Sequence, residues 1–464
     1  MSFWLLSVPD PDAPALLTGA DTASAKVQSY RELAAAADGF RETLGSCEGK
    51  RLGTIICRNE PTPLYAYLGA LRAGDAIMLQ NEATDPVQLK AIFDAYRPDW
   101  IVRPTQETAL LGYIAENLAA GWQLLRRALP GNEVPLHQDL AILLSTSGTT
   151  GSPKMVRLSY RNIAANTNTI VAYLSICSHE RAVTTLPFNY SYGMSIVNSH
   201  LAAGAALVFT DAGLLAREFW DTFRHHGVTS LSGVPYTYQM LHRLNPRKLP
   251  LDSLQTMTQA GGRLSAPLIE YFRQLSDDRG WRFFVMYGQT EAAPRISYVP
   301  PAMLQAKAGS IGIAVPGGRL SLSPKGELIY EGPNVMMGYG QNREDLEKGD
   351  ELGGRLETGD LATMDEDGCF YLHGRLKRFV KIHGNRVGLD DIEQRLEAEL
   401  HQPTAVVGED DKLRIYLTGD ADIDAVKLLL NSTYRLHAST FSLNRIETLP
   451  YTSSGKKDYA GLPK

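Results

Sequence analysis

Ser145, Thr146, Ser147, Gly148, Thr149, Thr150, Gly151, Ser152, Pro153 and Lys154 follow directly on an apolar run, Ala141–Leu144. The glycines at 148 and 151 let the backbone turn tightly and turn its N–H donors outward. Hydroxyls and a lysine surround those donors, so the loop can wrap a polyphosphate. It is not a Walker A loop, which needs four residues between its glycines and then Gly-Lys-Ser/Thr. The plain alternative is a flexible Ser/Thr/Gly linker. A linker does not normally follow a buried strand, nor end in Pro-Lys ahead of another apolar run.

This segment resembles the phosphate loop of the AMP-forming adenylating enzymes. That superfamily contains the acyl- and aryl-CoA synthetases, the adenylation domains of peptide synthetases and the firefly-type luciferases. Further matches follow in the family's order. MYGQTEA (Met286–Ala292) resembles the Tyr-Gly-x-Thr-Glu motif. Leu356–Val387 resembles the Thr-Gly-Asp motif, the hinge and the glycine loop after it. LPYTSSGKKD (Leu449–Asp458) resembles the C-terminal lysine motif. Together these segments span nearly the whole chain.

The resemblance implies ATP, Mg2+ and a small carboxylic acid as reactants, with an acyl adenylate and pyrophosphate as first products. Two anions must meet, so cations and donors are needed where charge builds up. Lys456 is expected to bridge the substrate carboxylate and the α-phosphate, with Lys457 as an exposed neighbour. Glu291 matches the family's magnesium ligand, and a carboxylate oxygen suits a hard cation on phosphates. Thr290 is expected to hydrogen-bond the α-phosphate or the carboxylate. Tyr287 stacks on adenine in this reading, with Gly288 and Gln289 beside it. Asp360 accepts from the ribose hydroxyls, where a bare reading of the residues allows a simple Asx turn. Gly261 and Gly262 let adenine lie on the backbone. Arg263 departs from the usual small residue, and a structural salt bridge is an equal reading. Arg375 is expected at ribose or phosphate.

Lys377 matches the hinge about which family members rotate a small domain between two half-reactions. The second half-reaction brings Lys381, His383 and Gly384 to a pantetheine tunnel. For Lys381 and His383 a solvated strand edge is the alternative. The acceptor thiol is coenzyme A or the phosphopantetheine of a separate carrier protein.

LPFNYSYGMS (Leu186–Ser195) stands where the family gates its acyl pocket, here with Asn189, Tyr190, Ser191 and Gly193. Peptide-synthetase domains usually carry an aspartate there to pair with the substrate ammonium. No acid occurs between Glu180 and Asp211. An amino acid would therefore bring a buried, unpaired ammonium, which is costly, and an acyl or aryl acid is expected instead. Arg295, four residues after Glu291, either meets a second substrate anion or anchors its loop. Amino-acid activation and a non-catalytic nucleotide-binding relative are the alternatives. The intact Lys456, Glu291, Thr290 and Ser145–Lys154 loop argue against the second.

Several elements must hold these residues. Gly53–Cys57, Ala76–Gln80, Trp100–Val102, Ala141–Ser145, Arg181–Leu186, Ala205–Phe209, Thr229–Val234 and Arg282–Tyr287 read as strands, and amphipathic helices such as Thr62–Gly74 and Val87–Tyr96 fall between many of them. That alternation predicts an α/β fold of parallel-rich sheets. After about Lys307 dense Gly and Pro predict a short-stranded antiparallel β unit. From about Lys377 a small α+β unit follows, giving a large domain at 1–376 and a small one at 377–464 that carries Lys456. The 464 residues can bury a large core, and a net charge of −5 argues against bulk attraction to nucleic acid. Four scattered cysteines suit a reducing compartment. With no basic leader and no apolar run near 20 residues, the expected location is the cytoplasm, without a membrane partner.

Overall fold

The computed structural model describes residues 2–463, except 107–109, 119–120, 129–133, 146–153, 377, 383–384, 410 and 453–454, and the side chains of 385–386. Two large mixed sheets form the body. In the nine-stranded sheet, Ala206–Phe209, Arg181–Val183, Ser230–Gly233, Thr256–Gln259 and Arg282–Gly288 run parallel. Arg295–Val299 then turns back antiparallel, with Arg295 opposite Gly288. In the eight-stranded sheet, Trp100–Pro104, Leu52–Cys57, Ala76–Asn81 and Leu140–Ser145 are the parallel centre. Ala76–Gln80 is buried throughout, as expected of a strand covered on both faces. Arg319–Leu322, Glu327–Glu331, Arg355–Met364 and Phe370–Arg375 make the antiparallel β unit.

Local chemistry sets the helix ends. Pro61–Ala73 stops where Gly74 takes φ +84°, a left-handed cap that a glycine adopts without a Cβ penalty. Pro86–Tyr96 starts at Asp85, whose carboxylate accepts from Val87 N and Gln88 N. One expected strand is shorter than read. The strand expected over Arg181–Leu186 ends at Val183, and the chain then turns through Pro187, which has no N–H for a ladder, into the helix Ser191–Ala202. The last strand starts at Phe441, directly after a 3₁₀ turn over Ala438–Thr440 that His437 caps.

The C-terminal part has its own core, where Val380, Ile392, Leu396, Val406, Ile415 and Leu430 pack together. It comprises a hairpin (Phe379–Ile382 with Asn385–Gly388), the helices Leu389–Leu400 and Ile423–Tyr434, and a three-stranded sheet. Contacts from several of its segments tie it to the body. Tyr451 packs on Tyr236 with ring centroids 5.2 Å apart, Arg263 donates to Gln394 Oε1, and the Gly455 turn meets Val234. Among the described residues no helix is long and apolar enough to cross a membrane.

Candidate active site

The site lies where the parallel strands end and the β unit and C-terminal part approach them. Its first wall is built on Asp360, 5 % exposed. Gly359 takes φ +73° and donates its N–H to Glu327 Oε1, which turns the Thr-Gly-Asp segment. The Asp360 carboxylate accepts from the Tyr287 hydroxyl, from Gln289 Nε2 at 2.8 Å and from Arg375 Nε at 3.1 Å. Gln289 also donates to the Thr358 carbonyl at 2.8 Å. The carboxylate thus faces the Tyr-Gly-Gln strand rather than closing an Asx turn. Tyr287 reaches it at the end of Arg282–Gly288, where Gly288 is required: a Cβ there would sit 1.9 Å from the Pro294 carbonyl oxygen.

The second wall holds Glu291. Its Oε1 accepts from the Tyr339 hydroxyl at 2.9 Å, and Lys154 Nζ lies 3.5 Å from the Tyr339 ring centroid. Tyr339 therefore joins the lysine after the glycine loop to the expected magnesium ligand. It was not singled out in the sequence; the available signal was its place between two glycines in the Gly/Pro-dense stretch. Its strand, Gly338–Gly340, pairs with Met155–Ser159 and is clasped by the fully buried Arg157. That arginine pairs with Glu351 and donates to the carbonyl of Tyr339 at 3.2 Å. Ser145 and Met155 are cross-strand partners, so the two strands that flank the glycine loop pair at this wall. Thr146–Gly151, expected to bind phosphate, lie outside the described residues, as do Lys377, His383 and Gly384.

Lys456 arrives from the C-terminal part. Thr452 N donates to the Lys456 carbonyl, and Gly455 N to the Thr452 carbonyl, each at 2.8 Å. Gly455 has φ +74°, and a Cβ on it would lie 2.4 Å from Val234 Cγ2. Only glycine lets the turn come this close and deliver its neighbour. Lys456 Nζ lies 5.7 Å from the Tyr190 ring centroid. Burial, then Arg375, lower its pKa, while Glu291 and Asp360 act in the opposite direction. Lys457 is not the exposed neighbour expected. Its Nζ donates to Glu393 Oε1, Glu397 Oε1 and the Thr404 carbonyl, each at 2.6 Å. Burial works against its charge, but the two glutamates outweigh it and raise its pKa.

The third wall is the start of Ser191–Ala202. Ser191 Oγ and Thr290 Oγ1 share a hydrogen bond of 3.2 Å, joining the expected acyl and phosphate residues. Asn189 Oδ1 is buried without a partner. Tyr190 packs against the backbone at Gly261, where a Cβ would meet its hydroxyl at 2.6 Å; Gly262 lies against Pro235. Burial lifts the Tyr190 phenol to about 12, with Arg295 acting the other way. Arg295 is 2 % exposed, with its guanidinium carbon 4.2 Å from the Tyr192 ring centroid. Gly193 does not open space for an acyl group. A Cβ there would lie 2.2 Å from the Pro187 carbonyl oxygen, so the glycine serves the close packing of the helix on that turn. Arg263 makes its hydrogen bond to the Gln394 amide, not a salt bridge, and so links the two parts of the chain. Lys381 lies on the exposed face of its hairpin strand, its carbonyl accepting from Asp411 N at 2.8 Å. A cleft of about 900 Å³ opens beside Gly455, between Leu186–Pro187, Tyr236–Arg243 and Thr448–Thr452.

Carboxylates, lysines and turned glycines converging at the ends of parallel strands define a nucleotide-handling enzyme of the α/β type. Residues 8–340 match the family of AMP-binding enzymes, and the chain belongs to that family. It is 30 % identical over 344 residues to a feruloyl-CoA synthase from an Amycolatopsis species, covering 68 % of each chain. Its fold is that of the o-succinylbenzoate CoA synthetase of Bacillus subtilis, at 22 % identity. The complex of that protein with its acyl-adenylate intermediate superposes with a TM-score of 0.77 over 98 % of this chain and 97 % of the other. Its complex with ATP and a magnesium ion, at 21 % identity, gives 0.76 over 98 % of each.

Proposed function

We propose that this protein is an AMP-forming acid–thiol ligase that activates a carboxylic acid other than an α-amino acid. A carboxylate oxygen attacks the α-phosphorus of ATP and pyrophosphate leaves. A phosphopantetheine thiol then attacks the acyl carbon and AMP leaves. The observation that carries this reading is the delivery of Lys456, by a glycine turn pressed on Val234, to a wall holding Glu291 and Asp360. A cation so placed offsets the charge that builds up as two anions meet. Thr290, held by Ser191, orients the carboxylate, and Asp360 holds the ribose. No three His, Cys, Asp or Glu side chains among the described residues could hold a metal by themselves. Glu291, a hard oxygen ligand, is the residue that would hold Mg2+, and the ion would supply positive charge against the leaving pyrophosphate.

For the second half-reaction the unit 377–464 turns about Lys377 and exchanges Lys456 for Lys381, His383 and Gly384. The cleft of about 900 Å³ between the two parts gives a long, thin thiol arm a way in. Coenzyme A is the favoured acceptor, in line with the similarity to a CoA synthase; a separate carrier protein is the other. The cytoplasm is the compartment that supplies either. One feature favours amino-acid activation: Asn189 Oδ1 has no partner and could accept from an ammonium. Arg295, a buried cation close by, opposes it.

The test is a panel of acids scored by acid-dependent pyrophosphate release, with and without CoA. Simple aryl or aliphatic acids should release pyrophosphate, and CoA should then appear as a thioester. Release with a standard amino acid and with no other acid overturns the reading.

A further inference from the structure

Three arginines among the described residues are buried to less than 5 % exposure: Arg157, Arg343 and Arg295. Two are balanced within the fold. Arg157 pairs with Glu351, and Arg343 with Asp99. Arg295 forms no ion pair with any described carboxylate, and its Nε is buried without a partner. Around it stand the rings of Tyr173, Tyr190 and Tyr192. The Tyr173 hydroxyl donates to Met286 Sδ at 2.9 Å, and the Tyr192 hydroxyl to the Thr258 carbonyl at 3.0 Å. Stacking on Tyr192 and a hydrogen bond with the neutral Tyr173 hydroxyl recover far less than burying a guanidinium without a counter-anion costs.

Its position gives that imbalance a use. From Lys456, Nζ lies 5.7 Å from the Tyr190 ring. The Tyr190 and Tyr192 rings are 6.3 Å apart. Arg295 lies 4.2 Å from the Tyr192 ring. Two neighbouring tyrosines therefore each have a cation at their ring. Lys456 is the one assigned above to the reacting carboxylate. Arg295 stands opposite Gly288 in the sheet, against the Tyr190–Tyr192 segment.

We propose that Arg295 binds a second carboxylate at the far end of the acid, so that the substrate class is a dicarboxylic acid of which one end is activated. This inference rests on the acid-activation reading above. A guanidinium meets a carboxylate through parallel N–H donors, which suits a planar anion over a neutral acyl chain.

Pyrophosphate release is measured with succinate beside butyrate, glutarate beside valerate, adipate beside hexanoate and phthalate beside benzoate. At least one diacid should exceed its partner about a hundredfold in kcat/KM, the size expected for a buried charge pair. Arg295→Met should bring that ratio below about tenfold, whereas a purely structural role would lower both acids together. Arg295→Lys should keep part of the preference and decides the matter if the methionine variant does not fold. Monoacids that match or beat every diacid in the unmodified enzyme overturn this proposal and leave acid activation standing. No release from any acid overturns acid activation, and this proposal with it.

Discussion

The nucleotide wall and the acyl wall meet at Thr290, yet they are finished differently. At the nucleotide wall the Asp360 carboxylate already accepts from Tyr287, Gln289 and Arg375, and Glu291 accepts from Tyr339. At the acyl wall Asn189 Oδ1 and Arg295 Nε are buried with nothing to bond. A wall satisfied from within is set before its ligand arrives, which suits a reactant that never changes. A wall left with open polar atoms is completed by its ligand and rejects acids that cannot complete it.

The largest effect should come from the group that crosses between the walls. Lys456→Ala should cut adenylate formation by about 10³ while acyl transfer from supplied acyl adenylate survives. Normal pyrophosphate exchange in that variant would remove the lysine from the mechanism. Its neighbour should behave in the opposite way. Lys457→Met leaves Glu393 with Arg378 as its remaining countercharge and Glu397 with the Thr404 N–H, and should lower stability by about 3 kcal/mol, read by chemical denaturation. The pH dependence carries the same contrast. Burial acts against the Glu393 charge, but Lys457 and Arg378 more than compensate and its pKa is lowered. Its contribution is therefore present above the ordinary glutamate pKa of about 4.3 and is lost as pH falls through the lowered value. Glu393→Gln should flatten the acid limb of the stability curve.

Asp360→Ala removes the centre of the nucleotide wall and should raise KM for ATP about thirtyfold, equally for every acid. A change that depended on the acid would erase the distinction between the walls. Gly455→Ala should slow adenylation about tenfold by pushing the turn off Val234, and Val234→Ala should restore part of it. The smallest effect on the fold belongs to Asn189→Ala. Removing an acceptor that has no partner should leave stability within about 0.5 kcal/mol, while the ranking of acids in the panel shifts.

Much of this was legible because local rules write it into the chain. The glycines that close Gly74, Gly359 and Gly455 announce turns, and the buried alternation announces parallel sheets. The order of motifs carried Lys456, Asp360 and Glu291 to their places. What stayed hidden depends on contacts between distant segments. Nothing near Tyr339 in the chain says that its hydroxyl meets Glu291, 48 residues away. Lys457 looks solvent-bound until Glu393 and Glu397 arrive from the helix Leu389–Leu400. Gly193 reads as pocket space until the Pro187 carbonyl fills it. The imbalance at Arg295 is a statement about what is missing around it, and a sequence does not list absences.

With Lys456 at the phosphates as proposed, the proton becomes a partner in nucleotide binding. In the free protein the lysine pKa is held down, first by burial and then by Arg375. Phosphates entering beside it add negative charge and push that pKa back up. ATP and one proton are then taken up together wherever the lysine is partly neutral beforehand. The affinity for ATP falls as pH rises through the lowered lysine pKa, and the heat of binding in that range varies with the ionisation enthalpy of the buffer.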